Sequence, residues 1–351
     1  MMATGLTTRR RMLAVLLGSC AMGPRLLAAD EAAPELTAHQ VIRLPARSEN
    51  DRHPVITGMA LSPDGRLLTT AGDDHLLYFW DTASGRLLHR AKGHSDWVRA
   101  LAIRPDGRVL ASAGHDGAIL LWDAGTGEQM GTVATPSGAA IYQLAYSPDG
   151  KSLAAVGFES SARIYDPASG RLRLTLRADG ADLRTAAFST DGQLFAAAGR
   201  NGHVRLWNAA SGQPTQDIQA ATTRIRSIAF SPDSQHLVTA GDNCPVRLWS
   251  VADGSQLPEL RGRAGKVHCV VFCGPDRLAT GGADNVIRIW DLAASAESAR
   301  LVGHEGTISA LSWQAEQNLL VSGSFDTTVR LWQLPTAAAA STAARPTNPI
   351  E

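Results

Sequence analysis

Two groups of residues in this chain of 351 residues have the side-chain types of a serine-hydrolase triad. In each group a histidine is followed 18 residues later by a serine and 22 residues later by an aspartate. The groups are His94, Ser112 and Asp116, and His304, Ser322 and Asp326. Neither serine lies in a Gly-x-Ser-x-Gly sequence, which exposes the nucleophile of many hydrolases. A catalytic interpretation therefore depends on the elements that carry these residues.

The cysteines and histidines show no metal-binding or haem-binding motif. No Cys-x-x-Cys, Cys-x-x-Cys-His or zinc-type Cys/His spacing occurs in the sequence. Cys269 and Cys273 are four residues apart on one strand-like run, about 13 Å along an extended chain, which is beyond disulfide reach. We therefore expect no metal and no cofactor, and we expect Cys269 to be a small buried hydrophobic residue.

Seven aromatic residues at nearly equal intervals indicate how the chain is organised. The steps between them are 42, 43, 42, 42, 41 and 42 residues, and the residues are Trp80, Trp122, Tyr165, Trp207, Trp249, Trp290 and Trp332. Each unit contains up to four strand-like runs separated by turn residues such as Arg104-Pro105-Asp106-Gly107. A period of about 40 to 45 residues is typical of propeller blades, which are stable only when they stack. The sequence predicts an all-β, seven-bladed propeller.

The pairs Gly93-His94 and Trp122-Asp123 resemble those of the WD40 family, and the resemblance covers about residues 39–334. It implies a hydrogen-bonded structural quartet of His, Ser or Thr, Asp and Trp within a blade. The second and seventh units match this quartet completely, with His94, Ser112, Asp116 and Trp122, and with His304, Ser322, Asp326 and Trp332. The resemblance therefore places the two apparent triads inside blades, and we expect a protein that is not an enzyme.

The middle units depart from this pattern. Asn201 and Asn243 stand where Asp116 stands in the second unit, and Glu159 stands there in the third. Tyr165 replaces the tryptophan of the third unit. We expect blades three to five to be looser than blades two and seven.

The chain ends predict how the ring closes. Only Gln333, Leu334 and Pro335 follow Trp332 before an Ala/Thr/Pro tail, so the seventh unit lacks an outer strand of its own. WD40 proteins usually fill this gap with a strand from the N-terminus. The apolar-alternating run from residue 39 to residue 44 is the expected closing strand. Residues 30–38 are expected to be a linker, and residues 335–351 a disordered tail.

The first 29 residues have the order of an export signal. They contain no Asp or Glu, and three arginines at positions 9–11 precede an apolar run from Met12 to Met22. This run is short for a membrane span. The sequence predicts an exported bacterial protein whose mature chain has no transmembrane segment.

The type of signal has two interpretations. Residues 8–13 resemble a twin-arginine motif, and Ala29 offers a small-residue cleavage site. Residues 17–20 resemble a lipobox, in which Cys20 would be lipidated and hold the protein at the membrane. We expect a periplasmic protein cleaved after Ala29. The alternatives are lipidation at Cys20 and an uncleaved or cytosolic form, and both Sec and twin-arginine export stay open.

Three positions in each unit are expected near the mouth of the central channel. In WD40 proteins that hold peptides, the residue after the first apolar position of the innermost strand commonly faces this mouth. The other two positions lie two residues before it and just before the turn carboxylate or its replacement. The expected partner-binding residues on this face are Trp97, Arg99, Tyr142, Arg184, Arg224, Arg226, Lys266 and His268. Arginine and aromatic residues dominate interface hot spots, so the set suits an acidic peptide or protein partner. The alternative is a solvated rim paired with nearby aspartates.

Net charge and motif content limit the classes of function that we expect. Removal of residues 1–29 takes away four arginines and leaves 29 basic against 33 acidic residues, a net charge of about −4. Such a chain has no general attraction to nucleic acid. We expect a monomeric, non-catalytic scaffold for a protein partner, and the alternative is a small-ligand-binding or enzymatic propeller.

Overall fold

A computed structural model of the chain describes residues 33–46, 52–133, 138–178, 182–260 and 265–335. The predicted export signal, Cys20 and the tail beyond Pro335 lie outside the described residues. All regular secondary structure in these ranges is β-strand. They contain no apolar helix of the length needed to cross a bilayer.

The strands of the first four sheets follow two short N-terminal strands in chain order. The N-terminal pair is β1 (Glu35–Leu36) and β2 (Gln40–Arg43). Blade one contains β3 (Ile56–Leu61), β4 (Leu67–Gly72), β5 (Leu76–Asp81) and β6 (Leu87–Lys92). Blade two contains β7 (Val98–Ile103), β8 (Val109–Gly114), β9 (Ile119–Asp123) and β10 (Gln129–Val133). Blade three contains β11 (Ile141–Tyr146), β12 (Leu153–Gly157), β13 (Ser161–Tyr165) and β14 (Leu172–Arg177). Blade four contains β15 (Leu183–Phe188), β16 (Leu194–Gly199), β17 (His203–Asn208) and β18 (Pro214–Gln219).

The last three blades differ in how their outer edges are built. Blade five contains β19 (Ile225–Phe230), β20 (His236–Gly241) and β21 (Cys244–Ser250). Blade six contains β22 (Val267–Phe272), β23 (Arg277–Gly282), β24 (Ile287–Asp291) and β25 (Ala296–Leu301). Blade seven contains β26 (Ile308–Gln314), β27 (Leu319–Ser324) and β28 (Thr328–Gln333). The described residues of blade five form a three-stranded sheet, and Pro258 in the segment after β21 has no N–H to donate to a fourth strand.

The seven sheets form a closed ring. The innermost strand of each blade packs against the innermost strand of the next, from β3 through β7, β11, β15, β19 and β22 to β26. β26 in turn packs against β3, which returns the ring to its start. The described apolar residues form seven buried clusters, and each cluster combines side chains from two adjacent blades. The predicted seven-bladed architecture is confirmed.

An N-terminal strand closes the ring, as the sequence predicted. β2 pairs antiparallel with β28 and supplies the outer strand of blade seven. Ile42 is opposite Val329 in this pair and is only 4% exposed, within the cluster between blades seven and one. Part of the segment expected to be a linker is also ordered, because β1 pairs parallel with β25. Leu36 packs there against the cluster between blades six and seven, and this buried contact explains why a two-residue strand forms.

Turn chemistry fixes the hairpins inside each blade. Between β7 and β8, Gly107 has a φ of 75° and its N–H donates to the Arg104 carbonyl at 2.8 Å. The Asp106 carboxylate accepts from the N–H of Arg108 at 3.0 Å. Glycine tolerates a positive φ and aspartate bonds its own backbone, so the Asp-Gly pair reverses the chain without strain.

The predicted quartet of blade two is a buried hydrogen-bonded network. The His94 imidazole contacts the Asp116 carboxylate through Nδ1 at 2.8 Å and the Ser112 hydroxyl through Nε2 at 2.7 Å. The same hydroxyl accepts from the indole N–H of Trp122 at 2.7 Å. Ser112 is fully buried, so a substrate has no access to its oxygen. The network joins strands and loop, which is a structural role.

Blade seven repeats this network, and other blades keep parts of it. His304 lies 2.6 Å from the Asp326 carboxylate and 2.8 Å from the Ser322 hydroxyl, which also accepts from Trp332 at 2.8 Å. Blades one, five and six keep only an indole-to-threonine bond in their tryptophan pairs, which are Trp80 with Thr70, Trp249 with Thr239 and Trp290 with Thr280.

Blades three and four lack the hydroxyl of the quartet. Alignment of the repeats places Ala155 and Ala197 where Ser112 stands in blade two. The hydroxyl of Tyr165 is buried and has no hydrogen-bond partner among the described residues. The missing hydrogen bonds are consistent with the expectation that blades three and four are looser than blades two and seven. The looseness of blades three to five stays a prediction.

Substitutions of two neighbouring residues in β2 test whether this strand closes the ring. Ile42 is buried against blade one, whereas Val41 is 50% exposed on the other face. We expect Ile42→Ala to lower the free energy of unfolding by about 2–5 kcal/mol, because it leaves a cavity in the seam. Val41→Ala should change it by no more than about 0.5 kcal/mol. Equal urea midpoints for the two variants would contradict the closing role of β2.

Candidate functional site at the channel mouth

Each blade has a β-bulge at the start of its innermost strand. In blade two, Val98 pairs with Gly114 and Ala100 pairs with Ala113, so Arg99 has no partner across the sheet. A bulge leaves one residue unpaired and re-aims its side chain. The same irregularity occurs in all seven described sheets, and the skipped residues are Thr57, Arg99, Tyr142, Arg184, Arg226, His268 and Ser309.

Glycine at the end of the second strand permits this bulge. A Cβ on Gly114 would lie 1.9 Å from the carbonyl oxygen of Trp97, which already accepts from the His115 N–H at 2.9 Å. A Cβ on Gly199 would lie 2.1 Å from the Asp182 carbonyl oxygen in the same way. Real side chains do not tolerate such distances, so glycine is required at these two positions, whereas blade seven forms its bulge with Ser324 there.

The seven skipped residues surround one cavity of about 250 Å³ in the centre of the ring. They include three guanidinium groups, from Arg99, Arg184 and Arg226. These are the positions that the repeat phase assigned to the channel. Trp97, Arg224 and Lys266 each precede an innermost strand by one residue, and Trp97 and Lys266 are exposed. We call three positions of each blade the mouth: the skipped residue, the residue just before the innermost strand, and the first residue after the second strand.

Aromatic rings from blades two and three form a continuous row across the mouth. The ring centroids of Trp97 and His115 are 5.7 Å apart, and those of His115 and Tyr142 are 6.0 Å apart. Tyr142 contacts Phe158 edge-on at 4.9 Å. The two ends of this aromatic row are open to solvent, because Trp97 is 38% exposed and Phe158 is 54% exposed. Exposed rings held by their neighbours offer apolar contact area at low entropic cost.

Two carboxylates pair with three arginines of blades four and five. Arg184 contacts Asp182 at 2.5 Å, and its guanidinium carbon also lies 3.8 Å from the centroid of the Tyr142 ring. Arg226 forms a two-pronged contact with Asp242, at 2.5 and 3.1 Å. Arg224 lies 3.9 Å from the same carboxylate. These arginines therefore have the nearby aspartates that the solvated-rim alternative supposes, and their role in partner binding stays a prediction.

Arg99 has a different environment. Its Nε–H donates to Nε2 of His115 at 3.3 Å, and its guanidinium carbon lies 5.3 Å from the centroid of the Trp97 ring. In the described part of the chain it forms no ion pair with a carboxylate. The same is true of the exposed Lys266 among the described residues. Arg99 and Lys266 are thus two members of the predicted partner-binding set for which the described residues supply no carboxylate.

Burial and nearby positive charges lower the pKa values of three side chains in the mouth. Burial lowers the pKa of Arg99, and the positive charges of Arg184 and Arg226 lower it further. Burial and the neighbouring Arg99 lower the pKa of His115. Burial and Arg226 likewise lower the pKa of His268. An ordinary histidine pKa is about 6.5, so both imidazoles are neutral at pH 7.

The sequence located most of the mouth, but it did not assign the contacts. His115, Phe158, Asp182 and Asp242 complete the site, and each lies at one of the three repeat positions expected near the channel. Position alone could not show that the two aspartates neutralise arginines. Ring-to-ring contact between blades two and three likewise became visible only in the folded structure.

The described residues contain no group of three or more His, Cys, Asp or Glu side chains arranged to hold a metal ion. Cys244, Cys269 and Cys273 are free thiols in buried positions, which agrees with the expectation for Cys269. Burial raises the pKa of the Cys273 thiol to about 12, so this side chain is a neutral thiol at physiological pH.

Comparison with known proteins gives one family. The family model described as "WD domain, G-beta repeat" matches more than two thirds of the chain, at residues 47–81, 85–123, 127–166, 170–208, 212–250, 254–291 and 296–333. The seven matches repeat along the chain with the same period as the seven blades.

Similar curated proteins match over short stretches. A probable serine/threonine-protein kinase of Thermomonospora curvata is 52% identical over 42 residues, 12% of this chain and 6% of that protein. A LEC14B homolog of Prunus armeniaca is 39% identical over 62 residues, 18% of this chain and 13% of the relative. Mitochondrial division protein 1 of Mycosarcoma maydis is 39% identical over 57 residues, 16% of this chain and 7% of the relative. The chain thus matches only a small part of each relative's length.

The coupling between Arg99 and His115 can be measured directly. Arg99 lowers the pKa of His115, so Arg99→Gln should raise it, and the imidazole should then gain its proton at a higher pH than in the wild type. NMR titration of the histidine Cε1–H signals gives this pKa. Arg108→Gln is the control, because Arg108 lies beyond the other end of β7. An unchanged His115 titration in Arg99→Gln would contradict the described contact.

Proposed function

Because the chain belongs to the WD40 family, whose propellers generally act as non-catalytic scaffolds for protein interactions, we propose that its mouth holds an acidic segment of a protein partner. The single observation that carries this proposal is Arg99, a cation with no carboxylate partner among the described residues that lies beside the exposed Trp97 ring. Basic and aromatic groups at the centre of a surface are typical anchors for a protein partner.

The charge of the mouth supports an acidic partner. Its cations are Arg99, Arg184, Arg200, Arg224, Arg226 and Lys266, and its carboxylates are Asp73, Asp182 and Asp242. The mouth positions therefore carry three more positive than negative charges. The chain without residues 1–29 carries about four net negative charges. A basic spot on an acidic protein steers an acidic partner to one face.

The place of action is part of the proposal. The order of charged, apolar and small residues in positions 1–29 supports export in a bacterium, with the propeller in the periplasm or held at the membrane through Cys20. Twin-arginine export would deliver the ring already folded. A partner in the cell envelope follows from this location.

A small-ligand propeller is the second candidate, and the cavity favours it to a limited extent. The space of about 250 Å³ with three guanidinium groups suits a small anion. The exposed rings of Trp97 and Phe158 are better explained by a partner with apolar side chains. An enzymatic propeller has no comparable observation in its favour among the described residues.

The proposal predicts the outcome of affinity capture from cross-linked cell envelopes. We expect wild type to recover a partner that Arg99→Glu/Lys266→Glu recovers at least tenfold less, because reversed charges repel an acidic segment. Arg184 and Arg226 are left unchanged, since glutamates there would face Asp182 and Asp242 and disturb folding.

The matched control reverses two exposed charges at the opposite end of blades one and two, Arg66→Glu/Arg108→Glu. It should recover the partner as wild type does, and both variants should give the wild-type circular dichroism melting curve. Equal recovery by the mouth variant and wild type would show that the partner uses another surface.

A further inference from the structure

Arg99 has donors that nothing in the described chain uses. A guanidinium carries five N–H groups, and in the described residues one of these, on Nε, donates to His115. The other four belong to the two terminal nitrogens, and no acceptor for them occurs among the described residues. The side chain lines the central cavity, so these donors lie at a space that a ligand can enter.

The surroundings of Arg99 favour an anion at this space. Arg184 and Arg226 line the same cavity, and each forms an ion pair with an aspartate. Arg99 is therefore a partly buried cation close to two others without a counter-charge of its own. Burial and these neighbours lower its pKa, which means that the positive charge is held at a cost. A carboxylate between the terminal nitrogens would remove that cost and form a two-pronged bond.

An apolar contact surface lies directly beside this anion position. The Trp97 ring lies 5.3 Å from the Arg99 guanidinium carbon, and the aromatic row runs from there to the exposed Phe158. A free small anion would fill the cavity and leave these rings in water. A carboxylate carried by a protein segment can bring an apolar side chain with it and cover them.

We infer that the mouth recognises a carboxylate next to an apolar side chain, with the carboxylate on Arg99 and the apolar side chain on the aromatic row. The occupant is an acidic segment of a protein, in which an Asp or Glu lies within a few residues of a Phe, Leu or similar residue. This inference rests on the proposed function and specifies the chemistry of the partner.

The test uses fluorescein-labelled peptides with the purified full chain. Each peptide has a Gly/Ser background and carries one Asp and one Phe, separated by one to four residues. Matched peptides replace the Asp by Asn or the Phe by Gly. Fluorescence polarisation gives the dissociation constants. We expect the best Asp/Phe peptide to bind about tenfold or more tightly than its Asn partner, because a charge-assisted hydrogen bond is lost. Loss of the Phe should weaken binding by a similar factor.

Two variants separate the two halves of the site. Arg99→Gln should bind the Asp and Asn peptides equally while it still prefers Phe to Gly. Phe158→Ser should keep the preference for Asp and lose the preference for Phe. Arg108→Gln, beyond the other end of β7, should behave as wild type in both comparisons.

Several results would overturn the inference. Equal binding of Asp and Asn peptides by wild type is one, and an Asp preference that persists in Arg99→Gln is another. Acetate or inorganic phosphate that binds as tightly as the best peptide would show a free-anion site instead. Peptide results of this kind together with a partner captured only by wild type would remove the inference and leave the proposed function standing. Selective peptide binding with no captured partner would support the recognised chemistry and contradict the proposed function.

Discussion

The pairing of β2 with β28 is the interaction on which the rest of the structure depends. No blade can bury both faces of a small sheet alone, so each apolar cluster requires two adjacent blades, and the last seam requires closure. Closure of the ring also brings the residues at the seven bulges together. Each bulge turns one side chain out of the regular strand alternation, and only a complete ring collects the seven side chains around one cavity.

The mouth that results is divided in its chemistry. Blades two and three supply the aromatic row, whereas blades four and five supply arginines that are already balanced by Asp182 and Asp242. Arg99 lies at the Trp97 end of the aromatic row, in contact with that ring and without a carboxylate partner in the described residues. This arrangement explains how a basic cluster can be mostly paired and still attract an anion at one defined point. It also gives the apolar and charged parts of a partner fixed places.

Much of the fold could be predicted from the sequence because its signals recur. The equal steps between the aromatic residues gave seven blades, and the absence of an outer strand after Trp332 gave the closing strand. The channel positions followed from the resemblance to WD40 proteins, carried from blade to blade by the repeat phase. Contacts between blades have no such period. The ion pair of Arg226 with Asp242 depends on side-chain geometry, and the order at β1 depends on the burial of Leu36 against blade six. Contacts made by single residues leave no repeating pattern in the sequence from which they could be predicted.

Photo-cross-linking in intact cells tests most directly whether the mouth holds the partner. A benzophenone amino acid replaces either Phe158, at the mouth, or Leu172, an exposed residue on the outer strand of the same blade. The account predicts a covalent adduct with an acidic protein from position 158, no such adduct from position 172, and loss of the first adduct when Arg99→Glu is added. An adduct from position 172 alone would contradict it and place the partner on the side of the ring.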